Sequence, residues 1–279
     1  MNDTGTNQPL RSDGHTPYSR YVQTEILHTL QDFVSDSPAE PAFLANVQIS
    51  EIYWALITRE LVTAQEALRR DQIAAANRVL RRIVSHMEAF NANWRSLSWL
   101  TPAELMPILK GLSARHGKDT ALQGWTFREM TFLLGVKDRP SLEHFEPQPQ
   151  RLQQLTERLN SPSVYDDILA ALARDGKAIP KAYLEPDYAV AYKPSKEIEA
   201  IWAEIYRNDD PADHWRTLAE LLADIAVEFT NWKYLHLMAT RRTFGSRPAY
   251  HGVDAIQWLL PTMEEIPFPE VWTARGLVA

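Results

Sequence analysis

Cysteine is absent from all 279 residues. That excludes disulfide scaffolds, zinc–thiolate centres, thiolate-ligated haem and cysteine nucleophiles together. Glycine is scarce, at 10 residues, and strand-like alternation is rare beside recurring amphipathic helical stretches, so the expected fold class is all-α, a helical bundle. No apolar run is long enough to cross a bilayer, and the polar start MNDTGTNQPLRSDGH has no signal-peptide core, so no membrane partner and a cytoplasmic location are expected. A basic excess is missing too. With a formal net charge of -7, nucleic acid is not an expected partner. What is present in quantity is apolar side chain, 45% of the chain by composition, enough for one large core or two small ones.

Residues 1–16 are rich in Asn, Thr, Gly and Asp and are expected to be flexible, leaving 17–279 as a single domain. A first helix is expected from Tyr18 through Phe33. Another runs from about Pro41 to Arg70, with Ile52, Leu56, Leu61, Ala64 and Leu68 as its buried stripe. Asp71 is the expected cap of its antiparallel partner, which buries Val79, Leu80, Ile83, Val84, Met87 and Phe90. Thr101-Pro102-Ala103-Glu104 reads as a capping box. Residues 111–120 read as a loop, followed by a helix that ends at Leu134-Gly135. Further helices are expected at 151–160, 163–175, 196–207 and 212–243, with a polar, Pro-rich excursion over 176–195. With Pro261, Pro267 and Pro269, the tail cannot be one continuous helix. There is no internal repeat.

The eight histidines form no HExxH or His/carboxylate grouping for zinc. His236 differs by its setting, FTNWKYLHLMATRRTFG, where Phe229, Trp232 and His236 fall on one helical face. Such a face could line a flat porphyrin. By spacing alone, a core histidine is the better reading.

Six blocks change that balance. They are YSRYVQTEILHTL from Tyr18, FLANVQISEIYW from Phe43, LTPAELMPILKGL from Leu100, LQGWTFREMTFLLG from Leu122, the W-K-x-x-H block Trp232 to Gly245, and FPEVWTAR from Phe268. In order and in spacing they resemble the tryptophan 2,3-dioxygenase superfamily of haem-dependent aromatic oxygenases, over about Tyr18 to Arg275. The resemblance implies that family's all-α haem fold, haem b as cofactor, His236 as the proximal iron ligand and Trp232 beside the haem. It also implies a substrate pocket built from Tyr18, Tyr21, Val22, Phe43, Val47, Leu105, Leu109 and Tyr250. Tyr18, Tyr21 and Val22 would reach a neighbouring subunit in a homotetramer or dimer.

The departures from the family pattern lie at the substrate end. Leu109, with Lys110 beside it, stands where the family has a carboxylate-binding arginine. Val47 stands where it has a distal histidine, and Tyr250 where it has the threonine of a glycine-rich loop. Leu122-Gln123-Gly124 replaces F-Q-S. A bidentate arginine–carboxylate contact is worth a few kcal/mol in a dry site, and leucine supplies none of it. Either the substrate lacks that carboxylate, or Lys110, Arg115, Arg247 or Tyr250 holds it in a new pose. With no catalytic residue assigned beyond the iron ligand, these changes point to a monooxygenase-like enzyme. It would use dioxygen or peroxide on a small tryptophan-, indole- or tyrosine-derived substrate. The alternatives are a tryptophan 2,3-dioxygenase forming N-formylkynurenine, and a haem-binding sensor without catalysis.

Overall fold

The computed structural model describes Gly14 and residues 16–97, 99–117, 120–245 and 255–278. It is all-α, with no strand among the described residues. The N-terminal helix expected as one piece is two: α1 (Pro17–Val22) and α2 (Thr24–Thr29), separated by Gln23 at φ +57°. One residue in the left-handed region is enough to end a helix and turn the chain. Neither short helix has a buried residue.

The long hairpin forms as read. Helices α3 (Glu40–Arg69) and α4 (Ile73–Trp94) pack side by side, their apolar stripes facing inward. Two details differ. Ile52 is 60% exposed, and the buried stripe runs through Ile57, Leu61, Ala64 and Leu68. Asp71 does not cap α4; it turns the chain at φ +57° and accepts from Arg174 Nε at 2.8 Å. Glu40 fastens the start of α3 by accepting from the Val34 and Ser35 amides at 2.6 and 2.8 Å.

Helix α5 (Pro102–His116) starts on the expected capping box, with the Thr101 amide donating to Glu104 at 2.9 Å. It continues to His116, so residues 111–116 are helical and not loop. Gly111 is there for clearance: a Cβ would lie 2.2 Å from the Val34 carbonyl oxygen. Helix α6 (Trp125–Leu133) then stops ahead of Gly135 at φ +89°. Helices α7 (Pro149–Leu159), α8 (Val164–Arg174), α9 (Lys196–Arg207) and α10 (His214–Phe244) follow at nearly the positions read from sequence. Ser163, Ser195 and Asp213 cap the last three by accepting from first-turn amides. The tail forms α11 (Ala255–Thr262) and α12 (Pro269–Thr273).

The main core draws side chains from α3, α4, α6, α8, α9, α10 and α12. The tail is part of it. Phe268, 1% exposed at φ +58°, is a bulky residue in a sparsely allowed backbone region, where only dense surroundings can keep it. It delivers Glu270, 1% exposed, to the hydroxyls of Tyr165 (2.9 Å) and Tyr192 (2.7 Å) and to the Ser195 amide (2.8 Å). Trp202 Nε1 donates in turn to the Tyr165 hydroxyl at 2.8 Å. Burial beside this carboxylate pushes the Tyr165 and Tyr192 hydroxyls well above the ordinary phenol range, so both remain donors. Among the described residues, no helix is long and apolar enough to cross a membrane.

Candidate active site

His236 lies on α10 one turn beyond Trp232; Trp232 packs against α3, α4 and α6, and His236 against the end of α4. Four aromatic side chains from these elements close on Trp232: Phe127 at 4.7 Å between ring centroids, Trp54 at 6.0 Å, Phe90 at 6.2 Å and Trp94 at 6.5 Å. The His236 imidazole stacks on Trp94 at 5.1 Å and 23° between planes, with Trp232 tilted against it at 5.4 Å. The Phe229, Trp232 and His236 face read from sequence is therefore real, and it is lined by three other helices.

Burial alone pushes the His236 imidazole down to about 4, because its cation has no anion nearby to offset lost hydration. At neutral pH the ring is neutral and keeps a lone pair on one nitrogen. Its Nδ1 is buried without a hydrogen-bond partner, as are the indole nitrogens of Trp54, Trp94 and Trp232. Leaving a buried donor unmatched costs on the order of 1–3 kcal/mol, so several in one aromatic cluster fit a site completed by a group from outside the chain. A flat macrocycle with a metal that takes one imidazole suits these residues. No group of three His, Asp or Glu side chains able to hold a metal ion by themselves occurs among the described residues.

The substrate residues expected from sequence divide into three sets. Phe43, Leu105 and Leu109 come together in one apolar cluster with Ala39, Leu100, Ile108 and Leu112, and Phe244 joins it from α10. That helix thus carries the iron-ligand candidate and, two turns on, a residue of the cluster that holds three of the expected substrate residues. Val47 is on α3, 40% exposed, one turn beyond Phe43. Tyr18 and Tyr21 do not join them: on α1 they are 69% and 91% exposed, and Val22 is half-buried. Tyr250 and Arg247 lie outside the described residues.

Of the cations that might replace the missing arginine, Arg115 is already committed. Both its terminal nitrogens reach Asp32, one at 3.0 Å, and the guanidinium holds the Asp32 carboxyl below its ordinary range. Lys110 is exposed on α5. Gly124, at the altered F-Q-S position, sits against Glu51, whose carboxylate accepts from the Thr126 hydroxyl. A cleft of about 630 Å³ lies elsewhere, between residues 134–137, 182–194 and 264–269, and contains none of the expected site residues.

Trp94 and Trp54 are the neighbours of His236 and Trp232 that sequence reading missed. Both sit far along the chain from His236. The aromatic character of α3 and of the end of α4 was the available signal.

Residues 2–162 match the family model described as tryptophan 2,3-dioxygenase. A protein named tryptophan 2,3-dioxygenase from Caulobacter vibrioides is 32% identical over 260 residues, covering 92% of this chain and 97% of its own length. One of the same name from Geobacillus thermodenitrificans is 31% identical, covering 92% of this chain and 91% of its own. Another, from Pseudomonas fluorescens, is 29% identical and covers 97% and 94%. These names back the ring-cleaving alternative better than the monooxygenase expected from the departures at Leu109, Val47 and Tyr250.

Proposed function

This chain belongs to the tryptophan 2,3-dioxygenase family, and we propose that it is a dioxygenase opening the indole ring of tryptophan or a close relative, without an arginine on the carboxylate. As a member it is an oxidoreductase of a haem-dependent family, and haem b is its expected cofactor. The observation that carries the proposal is the neutral, Nδ1-orphaned His236 against aromatic rings, on the helix that also reaches the Phe43–Leu105–Leu109 cluster.

His236 would hold haem, with Trp232 beside it. When bound, haem supplies the iron at which dioxygen reacts with an aromatic ring. The protein's own contribution is placement and exclusion. Phe43, Leu105 and Leu109 offer an indole an apolar wall and keep water from the reacting ring. Val47 presents no acid or base, so the indole N–H proton has no protein acceptor at that position. Leucine at 109 leaves the substrate carboxylate to Lys110 or to residues outside those described. Tyr18 and Tyr21, exposed on α1, suit a homotetramer or dimer in which one subunit's first helix covers the pocket of the next. Residues 17–279 are read as one domain, because the main core gathers side chains from Ile57 to Ala274.

The test is to supply ferrous holoprotein with tryptophan and isotopically heavy dioxygen. N-formylkynurenine carrying both heavy atoms is the expected product. A hydroxylated ring carrying one heavy atom would establish the monooxygenase reading, which the rewritten positions 47, 109 and 250 favour. Haem uptake with no turnover of any indole or phenol would point to a sensor.

A further inference from the structure

Trp94 is the last residue of α4, and its ring face lies on the His236 imidazole at 5.1 Å and 23°. A helix end is ordinarily the least fixed part of a helix, yet this one is held from two sides. From α3, the Asn46 side chain, 3% exposed, donates to the Asn93 carbonyl at 2.8 Å and to the Ser96 hydroxyl at 3.1 Å. Asn93 returns the bond, its side-chain amide donating to the Asn46 carbonyl at 3.2 Å. From α10, Asn91 donates to the Glu228 carbonyl and carboxylate at 2.9 and 2.8 Å, two turns before His236. The reciprocal Asn46–Asn93 pair, with both side-chain amides donating inside the protein, fixes position more than it adds stability.

The consequence concerns ring orientation. An imidazole turns about its Cβ–Cγ bond unless something restrains it, and the His236 Nδ1 makes no hydrogen bond that could. The restraint available is the flat contact with Trp94 on one face and Trp232 tilted against it. We propose that Trp94 is a positioning residue of the haem site, fixing the plane of the His236 imidazole, and that the Asn46–Asn93 pair holds Trp94 in place. Asn46 precedes Val47 in the chain, so one turn of α3 supports the iron ligand and faces the substrate wall. This rests on the reading that His236 binds the iron, and a His236→Ala protein that still took up haem with an unchanged Soret band would defeat that reading by itself.

The experiment compares Trp94→Leu, Trp94→Phe and Asn46→Ala, each confirmed helical by circular dichroism. Two measurements are made: haem affinity by titration of the apoprotein, and the iron–imidazole stretching band of the ferrous protein by resonance Raman. Trp94→Leu is expected to weaken haem affinity by about 10-fold and to shift and broaden the band. Trp94→Phe, which keeps a ring face, stays near the parent in both, and Asn46→Ala moves in the direction of Leu by less. A parent-like band and affinity in Trp94→Leu overturn the proposal. So does a Trp94→Phe protein as impaired as Trp94→Leu, because the role would then belong to the indole N–H. Should Trp94→Leu fail to fold, a parent-like band in Asn46→Ala overturns it, and a shifted one supports it.

Discussion

Around His236 and Trp232 the neighbours are aromatic rings, stacked, tilted or edge-on at 4.7 to 6.5 Å between centroids. Around Leu109 they are mostly aliphatic, Val47 is 40% exposed, and the tyrosines expected to close the pocket stand 69% and 91% exposed on a helix with no buried residue. The residues expected at the iron are packed among this chain's own rings, whereas Tyr18, Tyr21 and Val47, expected at the substrate, are exposed. Leu109 and Val47 make none of the ring contacts to His236, so substitutions there should affect the substrate more than the cofactor, whereas Gly124 sits against Trp54 and Phe127 of the aromatic cluster.

That contrast can be broken most severely at His236. His236→Ala should abolish the Soret band of the reconstituted protein while leaving its helical content intact, and spectra of the two proteins side by side decide it. The next effect is on pH. The imidazole is held near 4 in the folded apoprotein but titrates near 6.5 once unfolded. As pH falls between those values the unfolded chain binds a proton that the folded one does not, so apoprotein stability declines across that window. Urea midpoints at pH 7 and pH 5 should therefore differ more for the parent than for His236→Gln, and equal differences would count against a buried neutral ring.

The substrate end should respond less, and in the gaining direction. Leu109→Arg restores a carboxylate partner and is expected to lower KM for tryptophan by about 10-fold, the worth of one charge-assisted bond, with the Soret band unchanged. An unchanged KM would show that the carboxylate is held elsewhere. The smallest effect is at Tyr21. Tyr21→Ala should alter subunit stability by less than about 0.5 kcal/mol, since an exposed side chain supports no core. It should nonetheless raise KM if α1 covers a neighbour's pocket, and steady-state kinetics combined with thermal melts separates the two.

Much of the fold was legible because its helices announce their ends. Thr101 with Glu104, and Ser195 before the stretch read as 196–207, mark starts that the structure keeps. Boundaries failed where a distant partner decided. Gly111 read as loop, yet α5 runs through it and uses its missing side chain to approach Val34. Ile52 read as core because its spacing fits, but α3 presents its face further round, at Ile57. His236 and Trp232 were accessible through local spacing and family blocks. Trp94 and Asn46 were not, because their importance arises only when α4 is laid against α10 and α3.

The carboxylate of Glu270 has a consequence for synthesis. Two tyrosine hydroxyls and the amide that opens α9 all depend on this one acceptor. A nascent chain that has emerged only as far as α10 already has the His236 helix, yet Tyr165, Tyr192 and Ser195 still await their shared partner. Final closure of the core must follow translation of residue 270, so the aromatic cluster around Trp232 and His236 spends its first moments on a framework not yet locked.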